Sequence, residues 1–348
     1  MRYYELNLYQ PGVIPGTTKP FRTWTTHPGG QFDPGALMLE MDLIVLPYAV
    51  ASGGSTITLH GVAMEDLNQS QQFGMHPDAQ GIEQPGMTLE LRGGMKAGLP
   101  LANPAQADAL IVGQIFQSYG NWRGTDMRLD LVVYPPGYTM DNPGNFVLNW
   151  KRGQKLSDAL GACLAVVYPA MPIRINISGR IVADQDMPHF CSTLEELAQT
   201  VKDTTKSHYL GKTYPGVDIA IHGGVIDVFD GTVPAGVVQL NFTDLVGQPT
   251  WVDKATVQFD TVLRGDIQIG SVIKAPQGMT NQPGMVVSSQ ASLRSGANNA
   301  LTFVGDFKVT GVRHVGNSRS PNAGDWATFI QATPIIPTPG TVTNGVAR

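Results

Sequence analysis

The sequence predicts a mainly β fold with an α+β insert: two related antiparallel β-barrels plus a small α+β domain. Three observations predict it. Short runs in which apolar and polar residues alternate recur on both sides of residues 151 to 231, which is the pattern of half-buried strands. The 348 residues include 40 Gly and 25 Pro, which break the chain into short elements joined by turns. Only between the two β-rich regions does the apolar period become that of helices.

Taken in order, residues 36 to 46 place Leu37, Leu39, Met41, Leu43 and Val45 on one face, against Glu40 and Asp42 on the other. STITLHGV, MTLELRG, DALIVGQIFQSYG, MRLDLVVYP and NFVLNW continue in the same style up to Trp150, so residues 1–150 read as a first barrel domain. Leu156, Leu160, Cys163, Leu164 and Val167 then form the stripe of an amphipathic helix. After the strand-like PIRINISG comes a second helix bearing Leu194, Leu197, Ala198 and Val201, with Ser192 three residues before Glu195 as its reciprocal cap. Residues 151–231 are therefore the α+β insert. The strand pattern resumes with VVQLNF, TVQFDTVL, IQIGSVIKA, LTFVGDFKVTGVRHV and WATFIQA, a second barrel domain over 232–336, and 337–348 reads as an extended tail.

Composition narrows the function. Hydrophobic residues make up 42% of the chain and charged residues 15%, below the usual soluble share of roughly 25%, so such a chain buries much polar-poor surface or covers it with partners. With 28 acidic and 23 scattered basic residues the formal charge is -5, which disfavours sequence-specific nucleic-acid binding. Cys163 and Cys191 lie far apart and outside any CxxC spacing, so neither a disulfide framework nor a zinc knuckle is indicated and an intracellular folding site is expected. MRYYELNLYQPG lacks a signal pattern, and no run approaches the ~18 apolar residues of a membrane span. A soluble, unexported protein with no membrane anchor is the expectation.

An internal repeat is the most informative pattern. Leu91-Arg92-Gly93-Gly94 with Gly98 matches Leu263-Arg264-Gly265-Asp266 with Gly270 at the same spacing. Ile111-Val112-Gly113-Gln114-Ile115 matches Phe303-Val304-Gly305-Asp306-Phe307, and each then leads to an Asp-led strand, Asp126-Met127 or Asp325-Trp326. The later copy carries about twenty extra residues, most naturally in the Gly-, Ser- and Asn-rich stretch Gln277 to Asn299, which reads as mobile. Leu-Arg-Gly turns also recur by chance in Gly-rich β proteins; the common element order favours duplication. A ring of such subunits would present twice as many similar barrels as chains, so a trimer would look almost six-fold.

The residues resemble a known family, the baseplate hub proteins of contractile-tailed bacteriophages. The resemblance spans most of the chain. It rests on the β-rich start, on Trp150-Lys151-Arg152-Gly153 with Leu156-Ser157-Asp158-Ala159-Leu160, on Ile175-Asn176-Ile177-Ser178, and on the Leu194 to Thr205 helix. It rests also on Phe307-Lys308-Val309 leading through Val312-Arg313-His314-Val315-Gly316-Asn317 to Trp326-Ala327-Thr328. It implies tail-tube-like barrels in a homotrimer that joins the six-fold tail tube to the three-fold central spike. Further implied partners are other baseplate proteins, with DNA only passing through the bore on ejection. The implied location is the virion tail baseplate, assembled in the host cytoplasm. An acidic chain suits that passage, because a bore without clustered Lys and Arg would not retain phosphates.

Candidate chemistry is weak at every motif, so no catalytic, cofactor-binding or metal residue is expected, and no cofactor. Asp184, Asp186, His189 and Cys191 offer four potential ligands within eight residues, but match no standard zinc spacing. Gly211-Lys212-Thr213 resembles the end of a phosphate loop, yet Lys206 stands where that motif needs Gly. Ser271-Val272-Ile273-Lys274 satisfies SxxK, but on a strand its Ser and Lys face opposite ways. His222-Gly223-Gly224 resembles an oxyanion loop with no GxSxG elbow to serve. Glu195 and Glu196 read as first-turn acids, and Arg264-Gly265-Asp266 as a strand-end turn rather than an adhesion tripeptide. Trp24, Trp122, Trp150, Trp251 and Trp326 are dispersed, as in barrel cores and interfaces. A structural, non-catalytic hub is therefore the expectation. A carbohydrate-binding or receptor-recognition tail protein is the alternative, and a hydrolase lacks an identifiable nucleophile or acid pair.

Overall fold

Most of the alternating runs join a single 14-stranded sheet in the computed structural model, which describes residues 1–48, 54–96, 106–134, 144–169, 171–212, 214–222, 224–233, 236–276, 285–286 and 306–335. The first half contributes β1 (Arg2–Tyr9), β2 (Arg22–Thr25), β3 (Met38–Val45), β4 (Ser55–His60) and the short helix α1 (Met64–Gln69). The two-residue pair β5 (His76–Pro77) and β6 (Glu83–Gln84) follows, then β7 (Thr88–Met95), β8 (Asp108–Arg123) and β9 (Asp126–Tyr134). The middle holds β10 (Phe146–Trp150), α2 (Leu156–Val167), β11 (Ile173–Asn176), β12 (Met187–Cys191), α3 (Leu194–Thr205), β13 (Asp218–His222) and β14 (Val225–Phe229). The second half holds β15 (Val237–Gln239), β16 (Thr250–Trp251), β17 (Val257–Val262), β18 (Val272–Lys274), β19 (Met285–Val286), β20 (Asp306–Asn317) and β21 (Trp326–Pro334). The protein is mainly β with a small α+β insert, as the sequence predicts.

Alternation explains the cores. In β3, Leu39, Met41, Leu43 and Val45 are buried while Glu40 and Asp42 lie on the wetter face. Leu39, Met41 and Leu43 pack with Tyr4, Leu6 and Leu8 of β1, Ile57 and Leu59 of β4, Leu89 and Leu91 of β7, and Leu129 and Leu131 of β9. One face of the first-half strands thus converges on one cluster, each fully buried Leu contributing about 1.5–3 kcal/mol of transfer free energy. Phe259, Ile273, Phe307, Val309, Val312 and Ile330 form the corresponding cluster of the second half.

The two halves share an architecture. The first pairs its strands in the order β1-β7-β8-β9-β4-β3, and the second in the order β15-β18-β20-β21-β17-β16. Matched by place in the chain, the two orders are the same. Four of the five pairings are antiparallel in both; β1–β7 is antiparallel where β15–β18 is parallel. Both long hairpins carry a bulge at the same step, between Ile115 and Gln117 and between Val309 and Gly311. That common bulge aligns Ile115 with Val309, and Asp126-Met127 with Asp325-Trp326 as the sequence match has it.

Three expectations need correction. The Leu-Arg-Gly match is not part of the structural repeat: Leu91-Arg92-Gly93 lies inside β7, whereas Leu263-Arg264-Gly265 lies before β18, the strand that corresponds to β7. The match of Gln114-Ile115 to Asp306-Phe307 is two residues out of register with the bulge, and Phe303, Val304, Gly305 and Gly98 lie outside the described residues. Two closed barrels are not formed among the described residues, because the β3 edge is taken by β20 of the other half, Val312–Asn317 running antiparallel to Val45–Glu40. The stretches 277–284 and 287–305, which hold most of the expected mobile loop, and the tail 337–348 also lie outside the described residues.

In the middle segment the helical stripe buries Leu156, Leu160, Cys163 and Leu164 against Leu194, Leu197, Ala198 and Val201 of α3. Phe146, Leu148 and Trp150 of β10 belong to the same cluster, and β10 pairs with β12. A three-stranded sheet, β11-β14-β13, completes it. The cap of α3 is shifted one residue from the expected Ser192–Glu195 pair. Thr193 Oγ1 accepts from the Glu196 N–H at 3.1 Å, and the Glu196 carboxylate accepts from the Ser192 N–H at 2.7 Å, which satisfies two helix-start donors.

Candidate functional site

The joint between the halves holds a connected set of buried polar groups, and β20 builds it. Before its bulge this strand pairs with β18; beyond it, Val312–Asn317 pairs with β3. On the wet face Arg313 donates to both carboxylate oxygens of Asp42 at 2.7 and 2.6 Å, and Asn317 Nδ2 donates to Glu40 Oε1 at 2.9 Å.

The buried face holds His314, with 0% of its surface exposed. Its Nδ1 lies 2.9 Å from Thr328 Oγ1 on β21, and that hydroxyl donates to Arg264 O at 3.1 Å and accepts from Arg264 N at 3.0 Å. With the hydroxyl proton committed to the carbonyl, Nδ1 is assigned as the protonated nitrogen and Nε2 as an acceptor, for which the described residues supply no partner.

Arg264 is itself 2% exposed. Its Nε and Nη2 donate to the two oxygens of Asp266 at 2.7 and 2.6 Å, and Nη1 lies 3.2 Å from Asp244 Oδ2. Asp244 Oδ1 accepts from Gln106 Nε2 at 3.0 Å, and Gln106 O accepts from Gly265 N at 2.9 Å, so a first-half residue ties into the second half twice. The two Leu-Arg-Gly segments meet here. A Cβ on Gly93 would lie 3.2 Å from Leu263 Cδ2, and one on Gly265 would lie 2.9 Å from the Asp108 backbone, so both glycines permit the close approach.

The middle segment enters the same region through His222 at the end of β13, which is 2% exposed with neither ring nitrogen hydrogen-bonded among the described residues. Burial, with the nearby Arg174 guanidinium, lowers the His222 pKa to about 4; burial and the neighbouring His222 lower that of His314 to about 3. Both rings are therefore neutral at pH 7. Arg174 bridges outward, donating to Asp227 at 2.7 and 2.9 Å and to Gln268 of the second half. The arrangement locks three parts of the chain together.

An open groove of about 800 Å³ lies on the first half, lined by Glu5, Asn7, Tyr9, Thr23, Glu90 and Arg92. Glu90 is already engaged by Tyr9 Oη at 3.2 Å, Asn7 Nδ2 at 3.4 Å and Arg92 Nη1 at 3.3 Å. No Trp lines it, so the groove offers no indole stacking surface for a sugar.

The motifs weighed from sequence do not converge on a site. Asp184 lies 3.8 Å from His208 Nε2, Asp186 accepts from Arg152 N at 2.8 Å, His189 stands opposite Leu148 in the β10–β12 pair, and Cys191 Sγ is 3.9 Å from Thr200 Oγ1. Among the described residues no three His, Cys, Asp or Glu side chains are grouped to hold a metal ion. Ser271 is buried while Lys274 is exposed and 3.9 Å from Asp306. Lys212 precedes Thr213, and His222 precedes Gly223; both second residues lie outside the described set. Glu196 caps α3, and Arg264-Gly265-Asp266 is an internal ion pair. Trp24, Trp150, Trp251 and Trp326 are buried; Trp122 is 65% exposed. Among the described residues no helix is long and apolar enough to cross a membrane. Sequence reasoning missed the roles of Gln106, Asp244, His222 and His314; the available signal was two histidines within strands whose neighbours are apolar.

The fold and its joint define a β-sheet protein of two halves with the same strand order, locked to each other. No family model and no curated protein matches the chain. Among solved structures it is similar to the tail protein from Neisseria meningitidis MC58, with 10% identity and a TM-score of 0.45 over 95% of this chain and 96% of that one. It is also similar to the prophage MuSo2 43 kDa tail protein from Shewanella oneidensis, with 7% identity and a TM-score of 0.46 over 96% and 97% of the respective chains.

Proposed function

We propose that the chain is a structural, non-catalytic component of a bacteriophage tail, the baseplate hub that joins the six-fold tail tube to the three-fold central spike. The observation that carries this reading is the repeated strand order of the two halves, fused through β3 and β20 into one sheet. Three chains with two like halves each present six similar faces on one side and three identical chains on the other. The interlocked joint supports the same reading, since a subunit passing load between unlike partners benefits from halves that do not move independently. In this reading residues 1–150, 151–231 and 232–336 are the three functional units. The partners are the tube protein, the spike and other baseplate proteins. The location is the virion baseplate, assembled in the host cytoplasm, with DNA passing through a bore that lacks clustered basic side chains.

Tail particles assembled with and without this chain test the proposal. The expected result is that labelled chain localises to the tube end nearest the spike and that its deletion leaves tubes without spikes. Complete spike-bearing tails in its absence would overturn it.

A further inference from the structure

Most cations of the sheet halves have partners, whereas most of the insert's do not. Arg22, Arg92, Arg128, Arg264 and Arg313 each hold a carboxylate, and Arg2 and Arg319 donate to backbone carbonyls. Lys96 and Lys308 lie over aromatic rings, and Lys274 faces Asp306. Among the described residues of the halves, only Lys19, Arg123 and Lys254 are left without a hydrogen bond, ion pair or ring contact from the side chain. In the insert, Arg174 and Lys202 pair with Asp227 and Asp218. Its other six Lys and Arg side chains, Lys151, Arg152, Lys155, Arg180, Lys206 and Lys212, are exposed and without such a partner.

The fold gathers these six into three neighbouring loops. Gly153 N donates to Ala183 O at 2.9 Å, Ala183 N to Gln154 O at 3.1 Å and Leu156 N to Ile181 O at 3.0 Å, which ties residues 151–155 to 179–186. The third loop, 206–212, reaches both: the Tyr209 ring lies 5.4 Å from that of Trp150, and His208 Nε2 lies 3.8 Å from Asp184. That loop is held in shape at Ser207, the one non-glycine residue with positive φ, 59°, among the described residues. Ser207 N donates to Tyr214 O and Ser207 Oγ to Lys212 O, each at 3.0 Å. The acids of the three loops are Asp184, beside His208, and Asp186, which accepts from Arg152 N at 2.8 Å. Six cations against two carboxylates make a strongly positive end on a chain whose formal charge is -5.

We propose that this end of the insert docks an acidic segment of another protein, whose carboxylates meet the unpaired Lys and Arg side chains of the three loops. The surface suits a protein better than a nucleic-acid strand. Lys151 N, Arg152 N and Gly153 N are committed to Gln154 Oε1, Asp186 and Ala183 O, so this turn keeps no cradle of amides for a phosphate. Asp184 and Asp186 stand among the cations, where they repel a uniformly charged strand. An acidic protein segment spaces its carboxylates with neutral and apolar side chains, which the half-buried Tyr209 and Leu210 can receive. The surface belongs to the insert alone and is independent of the tail reading above.

The test is fluorescence anisotropy with the full chain and three labelled probes: a peptide alternating Glu with Gly, its Lys counterpart, and single-stranded DNA of the same charge as the Glu peptide. Expected at low salt is binding of the Glu peptide, weaker binding of DNA and none of the Lys peptide. The triple variant Lys151→Glu, Arg152→Glu and Arg180→Glu should weaken the Glu peptide about tenfold or more. Lys19→Glu, Arg123→Glu and Lys254→Glu together change the net charge equally, at exposed positions outside the insert, and should change that affinity less than about twofold. Melting curves show that both variants fold. Should the first melt early, Lys206→Gln with Lys212→Gln on the third loop should still weaken the peptide by about threefold. Equal losses in the two triple variants would overturn the proposal, as would a Glu peptide that does not bind. DNA bound more tightly than the peptide would also overturn it and make the surface a nucleic-acid contact.

Discussion

Comparing the two halves of the sheet shows where a duplicated architecture has been kept and where it has diverged. Strand order and the hairpin bulge are common, as are buried apolar pairs such as Ile57 with Leu131 and Phe259 with Ile330. Divergence collects where β20 meets β3. There Gly120 of the first half corresponds to His314 of the second, Trp122 to Gly316, and Met127 to the buried Trp326, whose Nε1 donates to Gly94 O at 3.0 Å. Where β20 pairs with β3 the strand carries buried polar groups beside a buried Trp, and where β8 lacks such a strand partner, with only Leu67–Met75 packed near Phe116–Gly120, it carries exposed aromatics. A shared sheet thus sets the strands, while occupation of an edge sets the chemistry around it.

The sharpest way to separate the halves is through the two arginines that look alike in sequence. Arg264→Ala removes a buried guanidinium from between Asp266 and Asp244, the latter 4% exposed and left with only neutral donors, and should cost about 3–5 kcal/mol of stability, whereas Arg92→Ala, at a side chain 39% exposed, should cost about 0–1 kcal/mol. Chemical denaturation of both variants measures the difference; equal losses would break the comparison.

Acid should act on the joint next. The His222 and His314 pKa values of about 4 and about 3 lie below the ~6.5 of an exposed imidazole, so as pH falls the unfolded chain takes up protons first. Stability from keeping these rings neutral is complete above about pH 6.5 and is lost as pH falls from there through about 4 for His222 and about 3 for His314, by on the order of 3–5 kcal/mol per ring. Unfolding curves from pH 7.5 to 4.5 should show the decline, and His314→Gln should flatten it. A slope unchanged by that substitution would remove His314 from the joint.

Smaller effects follow on the wet face. Arg313→Ala breaks an exposed pair with Asp42, with side chains 53% and 40% exposed, and should cost about 0.2–1 kcal/mol, less in high salt. Trp122→Ala should leave chain stability within about 0.5 kcal/mol, since the residue is 65% exposed. A large loss at Trp122 in the isolated chain would show that this end of β8 is already covered.

Much of this fold is legible in the sequence because a period of two survives wherever one face is wet. Strands β3, β4, β7, β9, β17 and β21 all stand where alternation predicts them. Strand β1 is passed over although Tyr4, Leu6 and Leu8 alternate with Glu5 and Asn7; burial of Asn7 beside Tyr3 and Tyr9 on the second face is the part no alternation announces. The helices are legible from Leu156, Leu160 and Leu164, but the cap slips by one because Ser192 and Thr193 are both competent oxygens and only backbone geometry chooses between them. The Leu-Arg-Gly match misleads as an alignment while pointing at a real place, since close packing at the joint calls for glycine in both segments. That β3 and β20 join the halves, leaving the barrels open, depends on pairing between residues far apart in the chain, and no local pattern encodes it.

The central claim is that one chain supplies two equivalent positions in a ring. A reconstruction of the spike-proximal tail end, made without imposed symmetry, tests it most directly. Three copies forming a ring of six near-equivalent sheet halves is the predicted result; six copies contributing one half each, or a two-fold arrangement, would contradict it.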